Sequence, residues 1–416
     1  MISPKSTEQP SIATLTTADA GTRTIWHGAW TAAVMRPSAA PWFPTWAEDG
    51  FADQSVRQIV RVNAGGTKVR IRLSNAYGAA PLQVTGASIG LTAEGAAVRP
   101  DTIRQLRFAG SPSALVPTRG RIVSDPVDLP TRPREQLTIT LYFKDATGPT
   151  THHQLSMTTS YRAAGDHHRD PSAAAYTDSI EPGFGSWYFL EGVETSGGGP
   201  RLPAVVAFGD SITDGFGANV DGDDRYPDAL AERLAAAGRP HPVLNAGIGS
   251  NKLLTDSACG GDSGVSRFAR DVLDQPGAGT AIVLIGINDI QLNDDRMCGV
   301  DLDDPPVTAQ RLIDGHQALI RAATARGVTV VGGTLTPFQG SAGWTAEGDE
   351  IRRQVNRWIR TSGAYDAVAD FDRALDPDGT GSVPDALHMG DHIHPSPAGY
   401  RAMAGAVDLA DLAERQ

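Results

Sequence analysis

The residues best suited to chemistry in this 416-residue chain are a serine, a histidine and an aspartate. Ser211 lies in Gly209-Asp210-Ser211, directly after the apolar run Ala204 to Phe208. A serine hydroxyl is a poor nucleophile until a base takes its proton, and an imidazole, which changes charge near neutral pH, suits that task. The best base is His394, in Gly390-Asp391-His392-Ile393-His394-Pro395, with Asp391 three residues before it. On one turn of backbone, Asp391 is expected to accept the His394 Nδ1–H, fixing the tautomer and stabilising the imidazolium. The oxyanion of an attacked carbonyl needs donors already in position, each worth about 3 to 4 kcal/mol. Three are at hand: the Ser211 N–H, a backbone N–H within Gly247-Ile248-Gly249-Ser250, and the side-chain amide of Asn288 in Gly286-Ile287-Asn288-Asp289.

Those groups need a scaffold, and the second half of the chain reads as one. Five short apolar runs, Ala204–Phe208, Val243–Asn245, Ala281–Ile285, Val328–Val331 and Ala367–Phe371, alternate with helical patterns. The helices are expected around Tyr226–Ala237, Ser263–Leu273, Thr308–Arg326, Glu347–Thr361 and Pro397–Leu412. Continuous apolar strands between amphipathic helices predict a parallel sheet covered on both faces, an α/β fold. Ligands of such sheets bind beyond the carboxyl ends of the strands, which is where Ser211, Ser250 and Asn288 fall.

Upstream the rhythm has period two. Val69-Arg70-Ile71-Arg72-Leu73 and Leu137-Thr138-Ile139-Thr140-Leu141 alternate, and Val56–Val62, Leu82–Leu91 and Trp187–Val193 are further strand candidates. Half-buried strands with turn residues between them predict an antiparallel β-sandwich. Its Arg57, Arg61, Arg70 and Arg72 are expected on one solvated sheet face. Glu194 to Pro200 reads as a flexible connection. The expected division is a flexible tail (1–24), a β-sandwich (25–196), a linker (197–202) and a catalytic domain (203–416).

Composition narrows the function. A net charge of −12 argues against binding nucleic acid, which needs a basic face. No apolar run approaches the ~20 residues of a membrane-spanning helix. The polar start carries no apolar core of a signal peptide. The chain is expected to be a secreted or periplasmic protein with its signal removed, or otherwise cytoplasmic. Cys259 and Cys298 lie outside any CxxC, against zinc or thiol-redox chemistry. A disulfide between them and two unpaired thiols are both open.

Gly209-Asp210-Ser211-Ile212-Thr213, Asn245-Ala246-Gly247-Ile248-Gly249-Ser250-Asn251, Gly286-Ile287-Asn288-Asp289 and Asp391-His392-Ile393-His394-Pro395 resemble the four sequence blocks of the SGNH (GDSL-type) hydrolases, in that family's order. The likeness runs from about Pro203 to Leu412. It implies a flavodoxin-like three-layer α/β/α fold and ester hydrolysis without a metal or other cofactor. Ser211 would be nucleophile, His394 base and Asp391 its orienter, with Asn288 and two backbone N–H groups forming the oxyanion hole. The family's glycine in the second block aligns with Ser250. A backbone N–H survives that replacement, and Ser250 is favoured over Gly249 as the donor. The first half resembles the β-sandwich that precedes this domain in a bacterial two-domain subgroup.

The other candidates are weaker. His388 and His392, near Asp385 and Asp391, lack a third metal ligand. The doublets His152-His153 and His167-His168 are expected to be solvated loop residues. Asp210 and Asp214 are expected to shape the turn around Ser211. Phe338 and Trp344 are candidates for an acyl pocket or for the core. The leading expectation is a serine esterase for short, acetyl-like acyl groups, including a carbohydrate O-deacetylase acting on a small-molecule or glycan ester. A lipase or lysophospholipase is the alternative. A glycan-binding protein with an inactive hydrolase fold and a metal-dependent deacetylase are the readings from other classes.

Overall fold

Strand pairing in the second half follows the order Val243–Gly247, Ala204–Gly209, Ala278–Leu284, Thr329–Gly333 and Ala367–Ala369, all parallel. The computed structural model describes residues 24–38, 44–180, 185–199, 202–292 and 306–413. The order is the doubly wound 2-1-3-4-5, whose switch point flanks the first strand. Val205, Val206, Phe208, Ile282 and Val283 are completely buried, as strands covered on both faces require. Helices pack in two groups. Tyr226–Ala236 lies against Pro397–Gly405, and Ala309–Thr324 lies against Ala346–Thr361. Their starts follow local chemistry: the hydroxyls of Thr308, Thr345 and Ser396 accept first-turn N–H groups, and Pro397 follows its cap. The last helix ends at Gly405, and a short 3₁₀ turn, Leu409–Asp411, replaces its expected continuation.

The first half is antiparallel. One sheet runs His27–Thr31, Leu190–Ser196, Gly66–Ser74, Arg121–Val123, with Val127–Thr131 also pairing Gly66–Ser74. The second runs Asp178–Ser179, Ser160–Ala164, Gln54–Val62, Glu135–Phe143, Gly86–Leu91, Arg104–Gln105. Val56, Val60 and Val62 of one sheet and Val69, Ile71 and Leu73 of the other belong to one buried cluster. The Trp30 and Trp187 rings meet edge-on at 4.8 Å within it. Glu194, Thr195 and Ser196, expected in a flexible connection, instead pair with Arg70, Val69 and Lys68 as the end of a strand.

Two expectations about this half fail. Arg57, Arg61, Arg70 and Arg72 do not form a solvated face. Arg57 is 1% exposed, donates to the carbonyls of Ala96, Ser172 and Asp170, and stacks on Tyr176 at 3.7 Å. Arg70 pairs with the buried Glu194. Arg72 donates to Gln275, and Arg61 reaches the Asp223 carbonyl and Glu232, so both tie the antiparallel half to the parallel half. These four arginines face other parts of the chain, whereas Thr67 and Lys68 at the start of the same strand as Arg70 and Arg72 are exposed. His152 and His153 are likewise buried, at 0% and 3% exposure, in a short ladder with Tyr188 and Trp187.

The halves also meet through main chain. Gly28 N donates to Pro276 O at 3.0 Å, and Asn63 Nδ2 to Val243 O at 2.7 Å. A Cβ on Gly28 would stand 2.8 Å from Leu244 Cδ1, so a larger residue there would require that leucine side chain to shift. Among the described residues no helix is long and apolar enough to cross a membrane. The expected tail lies outside the described residues apart from its last residue, as do Pro200 and Arg201 of the linker.

Candidate active site

Ser211, Ser250 and Asn288 follow strand ends, and Asp391 and His394 lie in the loop before the last helix. The first parallel strand stops at Gly209, where a Cβ would collide with Leu284 O and the Thr213 side chain, so only glycine fits this turn. Asp210 caps the single helical turn Ser211–Asp214 by accepting from Ile212 N at 3.0 Å. Ser211 thus takes the first helical position, where its N–H has no acceptor inside the helix. Asp210 shapes the turn as expected. Burial pushes its carboxyl up to about 7, opposed by the Ile212 N–H and reinforced by the nearby Asp289.

The loop before the last helix brings His394 opposite. Its Nε2 lies 2.9 Å from Ser211 Oγ and its Nδ1 lies 2.5 Å from Asp391 Oδ2. Asp391 Oδ1 accepts the N–H groups of Ile393 and His394, so the carboxylate is fixed by its own loop. Burial alone would raise this carboxyl. The hydrogen bond and charge of His394, with the two backbone donors, bring it down to about 2. Phe216 sits edge-on against the imidazole at 4.7 Å, limiting its rotation. Nδ1 faces an ionised carboxylate and carries the proton, which leaves Nε2 as an acceptor toward the serine hydroxyl.

The donors converge from the next two strand ends. Asn288 is 2% exposed, donates Nδ2 to Asn251 O at 3.0 Å, and has its carbonyl held by Gln291 Nε2 at 3.0 Å. Its orientation is thereby fixed, with a second amide hydrogen left for the cavity that it lines. Ser250 follows the second strand at φ +58°, and its N–H makes no hydrogen bond among the described residues. The Gly249 N–H is spent on Asp214 Oδ2 at 3.0 Å. Ser211, Ser250, Asn288 and His394 all border one cavity of about 370 Å³, walled by the apolar side chains of Leu155, Phe216, Leu292 and Ile393.

Three contributors were not singled out from the sequence. Arg267, 1% exposed, donates to the carbonyls of Ala246 and Gly209 and to Asn251 Oδ1, tying two strand ends to the Ser250 loop. Its spacing to Asp271, four residues on in the helix and 3.1 Å away, was the available signal. Gln291 orients Asn288, and Leu155 reaches the cavity from the antiparallel half. Phe338 is core and Trp344 is exposed, and Ser341, Ala342 and Gly343 line the cavity in their place. His388 Nδ1 accepts the N–H groups of Gly390 and His392, so it braces the loop. Cys259 is held in a disulfide, and the only other cysteine, Cys298, lies outside the described residues.

Residues 207–402 match the GDSL-like Lipase/Acylhydrolase family. None of the curated proteins matches the chain. Among solved structures, a lipase/acylhydrolase from Enterococcus faecalis is 18% identical, with 52% of this chain and 100% of that one covered and a TM-score of 0.38. An alpha/beta hydrolase from the metagenome of Lake Arreo, Spain, is 21% identical over 50% of this chain and 94% of that one, TM-score 0.38. A variant of an acetyl-xylooligosaccharide esterase from Geobacillus is 22% identical over 50% and 92%, TM-score 0.37.

Proposed function

We propose, for a chain whose residues 207–402 belong to the GDSL-like lipases and acylhydrolases, that it hydrolyses carboxylic esters through an acyl-serine intermediate on Ser211. The observation that carries this reading is the continuous line Asp391–His394–Ser211, at 2.5 and 2.9 Å, ending beside unspent donors. Ser211 Oγ attacks the ester carbonyl carbon while its proton passes to His394 Nε2. The carbonyl oxygen, now an anion, is met by the N–H groups of Ser211 and Ser250 and by Asn288 Nδ2. Collapse expels the alcohol, which takes the proton back from His394. A water then attacks the acyl-serine, gives its proton to His394 and releases the acid, and the proton returns to Ser211.

Short acyl groups remain the leading substrates, with a glycan or a small alcohol on the other side of the bond. The cavity favours a second reading. About 370 Å³ lies within the ~300–1,000 Å³ range of small-molecule pockets, and an acetyl group would leave most of it empty. Its apolar wall suits an acyl chain of several carbons. The test is hydrolysis of p-nitrophenyl acetate, butyrate, octanoate and palmitate, beside acetate release from acetylated xylan, for the unsubstituted chain and Ser211→Ala. A maximum at acetate with release from xylan supports deacetylation, and a maximum at octanoate supports the longer-chain reading. Activity that survives in Ser211→Ala would remove the serine mechanism altogether.

A further inference from the structure

His153 belongs to the antiparallel half, yet it reaches the turn that carries Ser211. Its Nδ1 lies 2.8 Å from the carbonyl oxygen of Ala33 and its Nε2 lies 3.0 Å from Asp214 Oδ1. A carbonyl and a carboxylate are both acceptors, so both ring nitrogens carry hydrogen and His153 is an imidazolium. Both partners of this ion pair are nearly sealed from water, with side chains 3% and 4% exposed. Burial pulls the imidazole down from its ordinary value, but the charge and hydrogen bond of Asp214, with the carbonyls of Ala33 and Leu155, overcome it and raise it. The Trp187 ring lies against His153 at 5.3 Å, and it, Arg225 and Asn245 border the same small cavity as His153 and Asp214.

The other oxygen of Asp214 accepts the Gly249 N–H at 3.0 Å. That bond occupies the N–H of Gly249, which lines the cavity, and leaves the N–H of Ser250, in a left-handed conformation unfavourable for a residue with a Cβ, at the cavity edge. Such a conformation persists only where its surroundings impose it. Two residues beyond His153, Leu155 packs on the same loop, its Cδ2 3.5 Å from where a Cβ of Gly249 would stand.

We propose that His153 is a positioning residue for ester hydrolysis, holding Asp214 so that Asp214 anchors Gly249 and aims the Ser250 N–H at the developing oxyanion. Through His153 the antiparallel half thereby takes part in transition-state stabilisation without that residue touching the substrate. This rests on the ester-hydrolase reading given above.

The test is a double-mutant cycle with His153→Gln and Asp214→Asn in the full chain. It follows kcat and KM on p-nitrophenyl butyrate per site titrated with a serine-directed phosphonate. A boronic acid, which becomes a tetrahedral anion on the serine, is bound alongside. Each variant should lose about 10- to 100-fold in kcat with KM within about threefold, and boronate affinity should fall by the same factor as kcat. The double variant should be no worse than the poorer single one, because the two residues act as one unit. His153→Gln leaves a buried carboxylate without its partner and is the variant at risk of not folding. The double variant removes that charge and supplies the measurement in its place. Unchanged kcat and boronate affinity in a folded double variant, or losses that multiply across the cycle, would overturn the proposal. The unsubstituted chain separates the two readings: its inactivity refutes ester hydrolysis, whereas activity kept in the variants refutes only the role of His153.

Discussion

Replacing Asp391 by asparagine probes the hydrogen-bonded line at its far end, with volume conserved and only the donor pattern changed. Asp391 Oδ1 accepts Ile393 N at 3.1 Å and His394 N at 3.0 Å, while Oδ2 accepts from His394 Nδ1 at 2.5 Å. An asparagine keeps the two backbone bonds through its carbonyl oxygen and then points its NH₂ at Nδ1. Two donors cannot share one hydrogen bond, so the imidazole moves its proton to Nε2, which faces Ser211 Oγ at 2.9 Å. The base is then the wrong tautomer. In Ser-His-Asp proteases the same substitution lowers kcat by about 10⁴ with geometry intact. Here the Asp391 side chain is 36% exposed, so water competes for the site and the lower figure of about 10³ is expected, roughly 4 kcal/mol of barrier. The assay is kcat on p-nitrophenyl butyrate per phosphonate-titrated site, beside the thermal midpoint. A loss of less than tenfold in a variant with an unchanged midpoint would refute the tautomer argument. In the unsubstituted chain the carboxyl is lowered from 3.8 to about 2. Its ionised form, and the stability that form contributes, is complete above the unfolded value and is lost only as pH falls through about 2. An acid limb of the rate profile near neutrality would therefore not come from Asp391.

Asn288→Ala should lower kcat by about 10²–10³ with little change in KM, and a large KM effect alone would recast Asn288 as a substrate binder. Leu155→Trp should fill the apolar cavity and lower the octanoate-to-acetate ratio of kcat/KM by about tenfold or more; an unchanged chain-length profile would take the acyl group out of this cavity. Asp210 is raised from 3.8 to about 7, so the folded state keeps a proton that the unfolded chain releases, and stability falls as pH climbs between those values. Urea titrations of Asp210→Asn against the unsubstituted chain should show the gap moving toward the variant by at most about 4 kcal/mol between pH 4 and pH 8, and a constant gap would mean that Asp210 does not titrate there.

The catalytic half was readable because its signals are local. Buried parallel strands appear as continuous apolar runs, and the residues that end them sit in loops with their own short signatures. The third strand begins at Ala278, three residues before the expected Ala281, because Gly279 and Thr280 interrupt the apolar run although Ala278 and Thr280 pair in the sheet on either side of a bulge at Gly279. The antiparallel half was readable as strands but not as surfaces. Alternation places Arg57, Arg61, Arg70 and Arg72 opposite the apolar core face, and nothing within a strand tells whether that other side meets water or more protein. Their partners, Tyr176, Asp223, Glu194 and Gln275, are remote in sequence. His152 and His153 were misread for the same reason. The choice of Ser250 over Gly249 rested on alignment to a motif; the bond that occupies Gly249 N–H comes from Asp214, whose own role was seen only as turn shaping.

The polar ties between the halves set the grain at which this chain can be recombined. Arg61 travels with Asp223 and Glu232, Asn63 with the Val243 carbonyl, Arg72 with Gln275, and His153 with Asp214. A chimera that joins this sandwich to a foreign hydrolase at the glycine-rich segment would keep every strand and still bury several charges without their counterparts. Transplantable units must be cut by partner sets, not by sequence position. In a lineage, such partners would be inherited together or lost together.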